Sequence, residues 1–196
     1  MTKEASRRDA LLFILSYDLK EDSIVMIRPA EPRDASRLAE ILIFAKRTSY
    51  RPIFQDDFVS FNEMQVLDLA LHYRDHPGAL NDIYLFDDGI VKGMMHWGQG
   101  TSSWELKELY VDPFFQGEGV GRALMSSFLA HAHAQGMEGV FLWVLEKNLS
   151  ARKFYESFGY HPSGERVLFP GTEQYLLQYT KPLGGEDPAE IYRLFR

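Results

Sequence analysis

A glycine-rich turn ahead of a helical segment is the part of this sequence best suited to chemistry. Residues 109–124 read LYVDPFFQGEGVGRAL, with the glycines placed after a strand that ends at Val111. Glycine at a helix start lets the backbone approach a ligand closely. The free N–H groups of a first helical turn, together with the helix dipole, suit pyrophosphate, and Arg122 can add a bidentate contact. The turn therefore predicts a site for a phosphate-bearing cofactor.

The spacing within this turn separates it from two common phosphate-binding motifs. Gln116, Gly119 and Gly121 follow the pattern Q-x-x-G-x-G. A Walker A loop needs a Lys-Ser/Thr pair, which this turn lacks, and a dinucleotide fingerprint needs its third glycine one residue later. An ordinary glycine-rich turn is the alternative interpretation.

A second motif, NLSARKFYESFGY, occupies residues 148–160 and follows an apolar strand. Asn148 stands at the junction of strand and helix. Tyr155 lies seven residues later, about two helical turns, so both residues face the same side. The phenol of Tyr155 can donate a proton. Taken alone, however, an aromatic residue at helical spacing is more often part of the core.

Together, the two motifs resemble those of the GNAT family of N-acetyltransferases. The resemblance runs from about Met26 to Leu183. It includes the opening IRPAEPRDA, the LYVDP strand end, the Q-x-x-G-x-G turn and the N-x-x-A-x-x-x-Y-x-x-x-G-[FY] helix. It implies an α/β (α+β) fold with a mixed, mainly antiparallel central sheet that is flanked by helices and splayed where acetyl-CoA binds. It also implies an enzyme that transfers an acetyl group from acetyl-CoA to an amine.

The resemblance further implies a role for each residue of the cofactor site. The backbone of residues 109–111 pairs with the pantetheine arm like an added strand, and the glycine turn holds the pyrophosphate. Asn148 forms a hydrogen bond with the pantetheine or with the cofactor edge. Arg152 is a candidate for the 3′-phosphate of the cofactor, with a solvated surface position as the alternative. The cofactor-binding set is Leu109, Tyr110, Val111, Gln116, Gly117, Glu118, Gly119, Val120, Gly121, Arg122, Asn148, Arg152 and Tyr155.

The implied reaction is the attack of a neutral amine on a thioester, which needs a base for the amine and an acid for the thiolate. Tyr155 is the candidate acid, as in the family. Glu105 and Glu108 are the candidate bases, with a solvated strand as the alternative. Because they are three residues apart, strand alternation predicts that they lie on opposite faces. In the branch that acetylates ribosomal proteins the base is a Glu on the next strand, where this sequence has Trp143, which argues against that branch.

The acceptor is expected to be a primary amine of a small molecule or peptide, and the protein a monomer or a homodimer. Two other functions stay open at this point. One is a transferase that uses another acyl-CoA, and the other is a non-catalytic CoA-binding sensor or interaction module. Tyr155 and the intact glycine turn favour an enzyme, because a pure binder has no need of an acid.

The composition excludes several other classes of protein. The 196 residues carry a formal net charge of −7, which argues against a nucleic-acid partner. The absence of cysteine excludes disulfides, zinc ribbons and cysteine nucleophiles. His72 and His76 have metal-ligand spacing, but Tyr73 stands where a zincin needs Glu, so no metal is expected. We expect no secretory signal, because the apolar run near the N-terminus is short. Since no stretch comes near the roughly 20 apolar residues of a membrane span, we expect a cytoplasmic protein.

We expect the chain to divide into three regions. Residues 1–25 form an N-terminal extension, expected to be helical, residues 26–183 form the N-acetyltransferase domain, and residues 184–196 form a C-terminal tail. Arg51-Pro52 should end the first helix of the domain. Apolar periodicity and turn residues predict strands at 25–28, 82–86, 90–98, 104–111, 139–145 and 173–180, and helices from residue 32, over 56–73, over 119–135 and over 150–158.

Overall fold

A seven-stranded mixed sheet carries helices on both faces, in a computed structural model that describes residues 26–184. The strand order is β1-β2-β3-β4-β5-β7-β6, and β4 and β5 run parallel in an otherwise antiparallel sheet. The predicted fold class is therefore confirmed. The predicted helix of residues 1–25 and the tail from residue 185 lie outside the described residues.

The bounds of the elements follow the chain order. The strands are β1 Met26–Pro29, β2 Ile83–Asp87, β3 Val91–Gly98, β4 Ser103–Val111, β5 Gly139–Leu145, β6 His161–Leu168 and β7 Tyr175–Pro182. The helices are α1 Ala35–Phe54, α2 Val66–Asp75, α3 Val120–Ala134 and α4 Leu149–Glu156.

The two faces of the sheet carry separate cores. One face packs on α3 and α4 through a cluster that includes Trp97, Trp104, Leu124 and Phe128. The other face packs on α1 and α2 through a cluster that includes Leu38, Ile41, Leu85 and Met94. Apolar residues at helical spacing on α1 are buried as predicted, which fixes the side of this helix that faces the sheet.

Two predictions about the first helices are wrong. The first helix continues through Pro52 and ends at Phe54. A proline near the end of a helix removes a single N–H donor, and the helix stops where Gln55 takes a left-handed φ of 55°. The single helix predicted for residues 56–73 is two elements, a short π-helical turn at Val59–Glu63 and α2, because Gln65 between them is extended.

The edge strand β6 was not predicted from the sequence. Every residue of β6 is exposed, so this strand has no alternation of apolar and polar residues. It also contains Pro162 and Gly164, which usually indicate loops. Its pairing with β7 holds it in the sheet.

Candidate active site

β4 and β5 separate partway along their length, and this opens a groove in the sheet. Their parallel pairing joins residues 103–106 to residues 139–142, and beyond these positions the two strands do not pair within the described chain. The groove has a volume of about 690 Å³. The predicted cofactor-binding residues line it, except Glu118 and Arg152.

The N-terminus of α3 opens into this groove. Gly119 precedes the helix with a left-handed φ of 87°, which glycine adopts easily. The first helical hydrogen bond runs from the N–H of Ala123 to the carbonyl of Gly119 at 2.9 Å. The N–H groups of Val120, Gly121 and Arg122 are therefore left for a ligand, and the first turn carries no acidic side chain. This arrangement attracts an anion.

The end of β4 presents an open backbone edge to the groove. On its other edge, residues 109–111 pair with residues 93–95 of β3. The backbone groups that face away from β3 can therefore bond an extended ligand that adds as a strand.

Asn148 and Tyr155 both face the groove, as their spacing predicts. The Oδ1 atom of Asn148 caps α4 by accepting a hydrogen bond from the N–H of Ala151 at 3.2 Å, so its NH2 group is left to donate. The Tyr155 hydroxyl forms no hydrogen bond within residues 26–184. Burial, and then the nearby Tyr50, raise the pKa of Tyr155 above that of an ordinary phenol. Tyr155 therefore stays protonated at neutral pH.

A β-bulge interrupts β4 between the two candidate bases. His96 of β3 pairs with Glu108, whereas the next residue, Trp97, pairs with Leu106. Lys107 is thus the extra residue of the bulge. An extra residue reverses the alternation of side chains that follows it.

The bulge brings Glu105 and Glu108 to the same face of the sheet. Residues on both sides of the bulge pack into the core beneath α3, namely Trp104, Leu106, Leu109 and Val111. Glu105 and Glu108 alternate with these residues and point to the opposite face, where α1 lies. The prediction that they lie on opposite faces is wrong, because strict alternation does not hold across a bulge.

Glu108 has charged and titratable neighbours, whereas Glu105 has neither a hydrogen bond nor an ion pair within the described part of the chain. The Nζ atom of Lys46 lies 3.1 Å from Glu108 Oε1, and the Nδ1 atom of His96 lies 3.9 Å from Oε2. Burial lowers the pKa of His96, although Glu108 opposes this effect, so the imidazole is neutral at pH 7. Burial, and then Glu108, raise the pKa of Tyr73 to about 12. Neither glutamate lines the groove itself.

Two predicted cofactor residues have partners elsewhere. Glu118 forms an ion pair with Lys92 at 3.3 Å. The Arg152 guanidinium donates to the Tyr179 hydroxyl at 3.0 Å and to the carbonyl of Glu146 at 2.9 Å. Neither residue is part of the groove lining, although each lies next to residues that are.

Helix α1 also contributes to this site. Ala45, Thr48 and Ser49 line the groove, and the hydroxyl of Tyr50 lies 2.8 Å from that of Tyr110. None of these three lining residues belongs to a motif. Ala45 is part of the apolar periodicity of α1, whereas no sequence pattern marks Thr48 or Ser49.

Neither a membrane-spanning helix nor a metal cluster is found in residues 26–184. None of their helices is long and apolar enough to cross a bilayer, and no three His, Cys, Asp or Glu side chains among them are grouped to hold a metal ion. His72 and His76 stack with ring centroids 4.7 Å apart.

Comparison with known proteins adds relatives that carry acetyltransferase names. The chain is 39% identical over 56 residues to an uncharacterized N-acetyltransferase of Methanocaldococcus jannaschii, a match that covers 29% of this chain and 25% of that relative's length. It is 26% identical over 156 residues to the uncharacterized N-acetyltransferase YuaI of Bacillus subtilis, covering 74% of this chain and 82% of the relative.

A solved structure shows the same fold. The PaiA N-acetyltransferase of Thermoplasma acidophilum, in complex with coenzyme A, matches with a TM-score of 0.60 and 17% identity, over 79% of this chain and 97% of its own. The model of the acetyltransferase (GNAT) family matches residues 44–160, a segment that runs from α1 through the glycine turn to the end of the Asn148–Tyr160 motif. Because this segment is more than half of the protein and contains the groove, the chain belongs to the acetyltransferase (GNAT) family.

Proposed function

We propose that this chain is an acetyl-CoA-dependent N-acetyltransferase that moves an acetyl group to a primary amine of a small molecule or peptide by direct attack. One observation carries the proposal: a single groove combines the free N–H groups of α3, the open edge of β4 and the Tyr155 hydroxyl. Membership of the acetyltransferase (GNAT) family and the coenzyme A complex of PaiA support it.

The donors along the groove match the parts of acetyl-CoA in order. The N–H groups of Val120, Gly121 and Arg122 would hold the pyrophosphate, and the edge of residues 109–111 would bond the pantetheine amides. At Gly121, α3 packs closely on its neighbours: a Cβ atom there would be in ordinary van der Waals contact with Val111 Cγ2 at 3.4 Å and Phe154 Cζ at 3.6 Å. The thioester would then lie toward Tyr155, where the bound molecule supplies an electrophilic carbonyl.

The residues around the groove can assist each step of the transfer. An alkylamine with a pKa of about 10.4 is mostly protonated at neutral pH and must lose a proton. Its nitrogen then attacks the carbonyl carbon, the C–N bond forms and the C–S bond breaks. The second proton of the nitrogen leaves in this step and replaces the one that the acid gives to sulfur. A backbone N–H of residues 109–111 would stabilise the oxyanion, and Tyr155 would give its proton to the departing sulfur. Glu108 is the better placed base, because it stands two residues from Tyr110, which lines the groove.

A screen for thiol release tests the proposal. The protein is given acetyl-CoA with a panel of primary amines, amino acids and short peptides, and the screen is repeated with propionyl-CoA and longer acyl-CoA thioesters. Turnover with acetyl-CoA and an amine is the expected result. A clear preference for a longer thioester would identify another acyl donor. Coenzyme A binding by calorimetry without turnover for any amine would instead identify a non-catalytic CoA-binding module.

A further inference from the structure

Two tyrosine hydroxyls from distant parts of the chain meet at the groove. The hydroxyl of Tyr50 on α1 lies 2.8 Å from that of Tyr110 on β4, so one donates a hydrogen bond to the other. Tyr110 lines the groove, and Tyr50 is half-buried, with its ring edge against Phe54 at 5.9 Å between centroids. Tyr50 also lies close enough to Tyr155 to raise the pKa of that hydroxyl. The pair therefore links the surroundings of the candidate acid to the face of β4 that carries both Tyr110 and Glu108.

Glu108 lies on the same face of β4 as Tyr110. It precedes Tyr110 by two residues, after the bulge, so the two side chains share a face and start about 7 Å apart. Two polar side chains that share a face without a direct hydrogen bond can be joined by a bridging water. The Nζ atom of Lys46 lies 3.1 Å from Glu108 Oε1 and 5.6 Å from the centre of the Tyr110 ring. Lys46 thereby holds the carboxylate beside the phenol.

We propose that the hydroxyls of Tyr50 and Tyr110 relay a proton from the acceptor amine to Glu108. This inference rests on the proposed N-acetyltransferase function and states how its base is reached. The ammonium group gives a proton to the Tyr50 oxygen, the Tyr50 proton moves to Tyr110, and the Tyr110 proton moves through water to the carboxylate. One proton leaves the amine, one arrives at Glu108, and both phenols are restored.

Two further observations favour a relay over direct contact. Glu108 does not line the groove, whereas Tyr110 does, so a base at Glu108 needs an intermediary. Burial, and then Tyr50, raise the pKa of Tyr110 well above that of a free phenol. Tyr110 therefore stays neutral and passes a proton on rather than keeping a charge.

Removal of each hydroxyl tests the relay. Tyr50→Phe and Tyr110→Phe keep the rings, and Tyr84→Phe is the matched control, because Tyr84 is a half-buried tyrosine stacked on Trp97 at 4.1 Å, away from the groove. Two nucleophiles are compared: the fastest alkylamine of the panel, which must be deprotonated, and methoxyamine, which is already neutral at neutral pH. Thermal melting of each variant shows whether it is folded.

The relay predicts a loss that depends on the nucleophile. In each variant kcat with the alkylamine should fall about 10²-fold, the reaction of methoxyamine should change much less, and the KM for acetyl-CoA should stay within about twofold. The double variant should be about as slow as either single variant, because one break already interrupts the path.

The outcomes separate this inference from the function on which it rests. A wild-type protein without turnover for any amine would contradict the proposed function, and the relay would fall with it. If the wild type acetylates the alkylamine and both folded variants do so at the same rate, the relay is overturned while the proposed function stands. An equal loss for both nucleophiles would also overturn it, because the hydroxyl pair would then act by positioning α1 against β4.

Discussion

Replacement of Tyr155 by Phe is the sharpest test of the acid in this site, because the structure separates its effect on stability from its effect on rate. The Phe ring keeps the packing against Phe154 and Tyr160, whose centroids lie 5.5 Å and 6.1 Å away. The Tyr155 hydroxyl has no hydrogen bond within the described residues. Its removal should therefore change the free energy of unfolding by less than about 1 kcal/mol.

The expected effect on the rate is much larger. A proton donor in the transition state contributes roughly 10²–10⁴-fold, which corresponds to about 2.7–5.4 kcal/mol of the activation barrier. We therefore expect kcat to fall by this factor, while the affinity for acetyl-CoA, measured by calorimetry, stays nearly intact. Because burial raises the pKa of Tyr155, the wild-type rate should show no loss from deprotonation of this phenol below about pH 10.

Tyr160→Phe is the matched control. Tyr160 is 3% exposed, and its hydroxyl is buried without a hydrogen-bond partner among residues 26–184. Its removal should leave kcat unchanged and stability unchanged or slightly higher. The acid role would be refuted by a kcat for Tyr155→Phe within about threefold of the wild type, with chemistry shown to be rate-limiting by single-turnover kinetics.

Three other predictions concern the glycine turn, a buried ion pair and the N-terminal extension. Gly119 and Gly136 stand at the two ends of α3 with left-handed φ values of 87° and 71°, so Val at either position should cost about 1–3 kcal/mol in stability. Only Gly119→Val should also weaken acetyl-CoA binding, by about tenfold or more in calorimetry. Equal affinities of the two variants for acetyl-CoA would contradict the assignment of the pyrophosphate to the N-terminus of α3. Burial raises the pKa of Asp34, but hydrogen bonds from Arg28 at 2.7 Å and 2.8 Å outweigh this effect and hold it below its ordinary value. The stabilisation from this ion pair is therefore complete above about 3.9, the pKa of Asp34 in the unfolded chain. It disappears as the pH falls through the lower pKa that Asp34 has in the folded protein. Asp34→Asn should lose about 2 kcal/mol in denaturant unfolding at pH 7 and progressively less below pH 4; a loss that does not vary with pH would exclude this account. Finally, a chain that begins at Met26 should fold and acetylate at a rate similar to the full chain, and an inactive but folded shorter chain would show that residues 1–25 complete the site.

Local features of the site could be predicted from the sequence because short-range geometry determines them. Three such features depend on neighbouring residues alone. They are a left-handed glycine before a helix, the free N–H groups of the first helical turn, and two residues seven positions apart on one side of a helix. Gly119 accordingly takes a left-handed φ before α3, and Asn148 and Tyr155 face the groove together. The order of strands and helices also followed from apolar periodicity, apart from the helix predicted over 56–73, which is two elements, and β6, whose exposed residues carry no periodic signal.

The remaining features depend on contacts between distant parts of the chain. The pairing of the Tyr50 and Tyr110 hydroxyls joins residues 60 positions apart, and no property of either residue alone indicates it. Arg152 shows the same dependence on the rest of the fold. A positive charge near the motif suggested a phosphate contact, but the guanidinium is engaged by Tyr179 and the carbonyl of Glu146. Charge indicates what a side chain can bind, whereas the packing of other elements decides what it does bind.

The bulge in β4 links the shape of the groove to the placement of its candidate bases. The pairing of β4 with β5 ends at Leu106, and the extra residue of the bulge, Lys107, comes next. A bulge bends its strand and increases the local twist, so it turns β4 away from β5 at the position where the groove opens. The same extra residue shifts the alternation and directs Glu108 to the face that carries Tyr110 and Lys46. A single inserted residue thus accounts both for the open edge that can receive the pantetheine and for a carboxylate on the acceptor side. A regular β4 would place Glu105 and Glu108 on opposite faces and would lack this local bend away from β5.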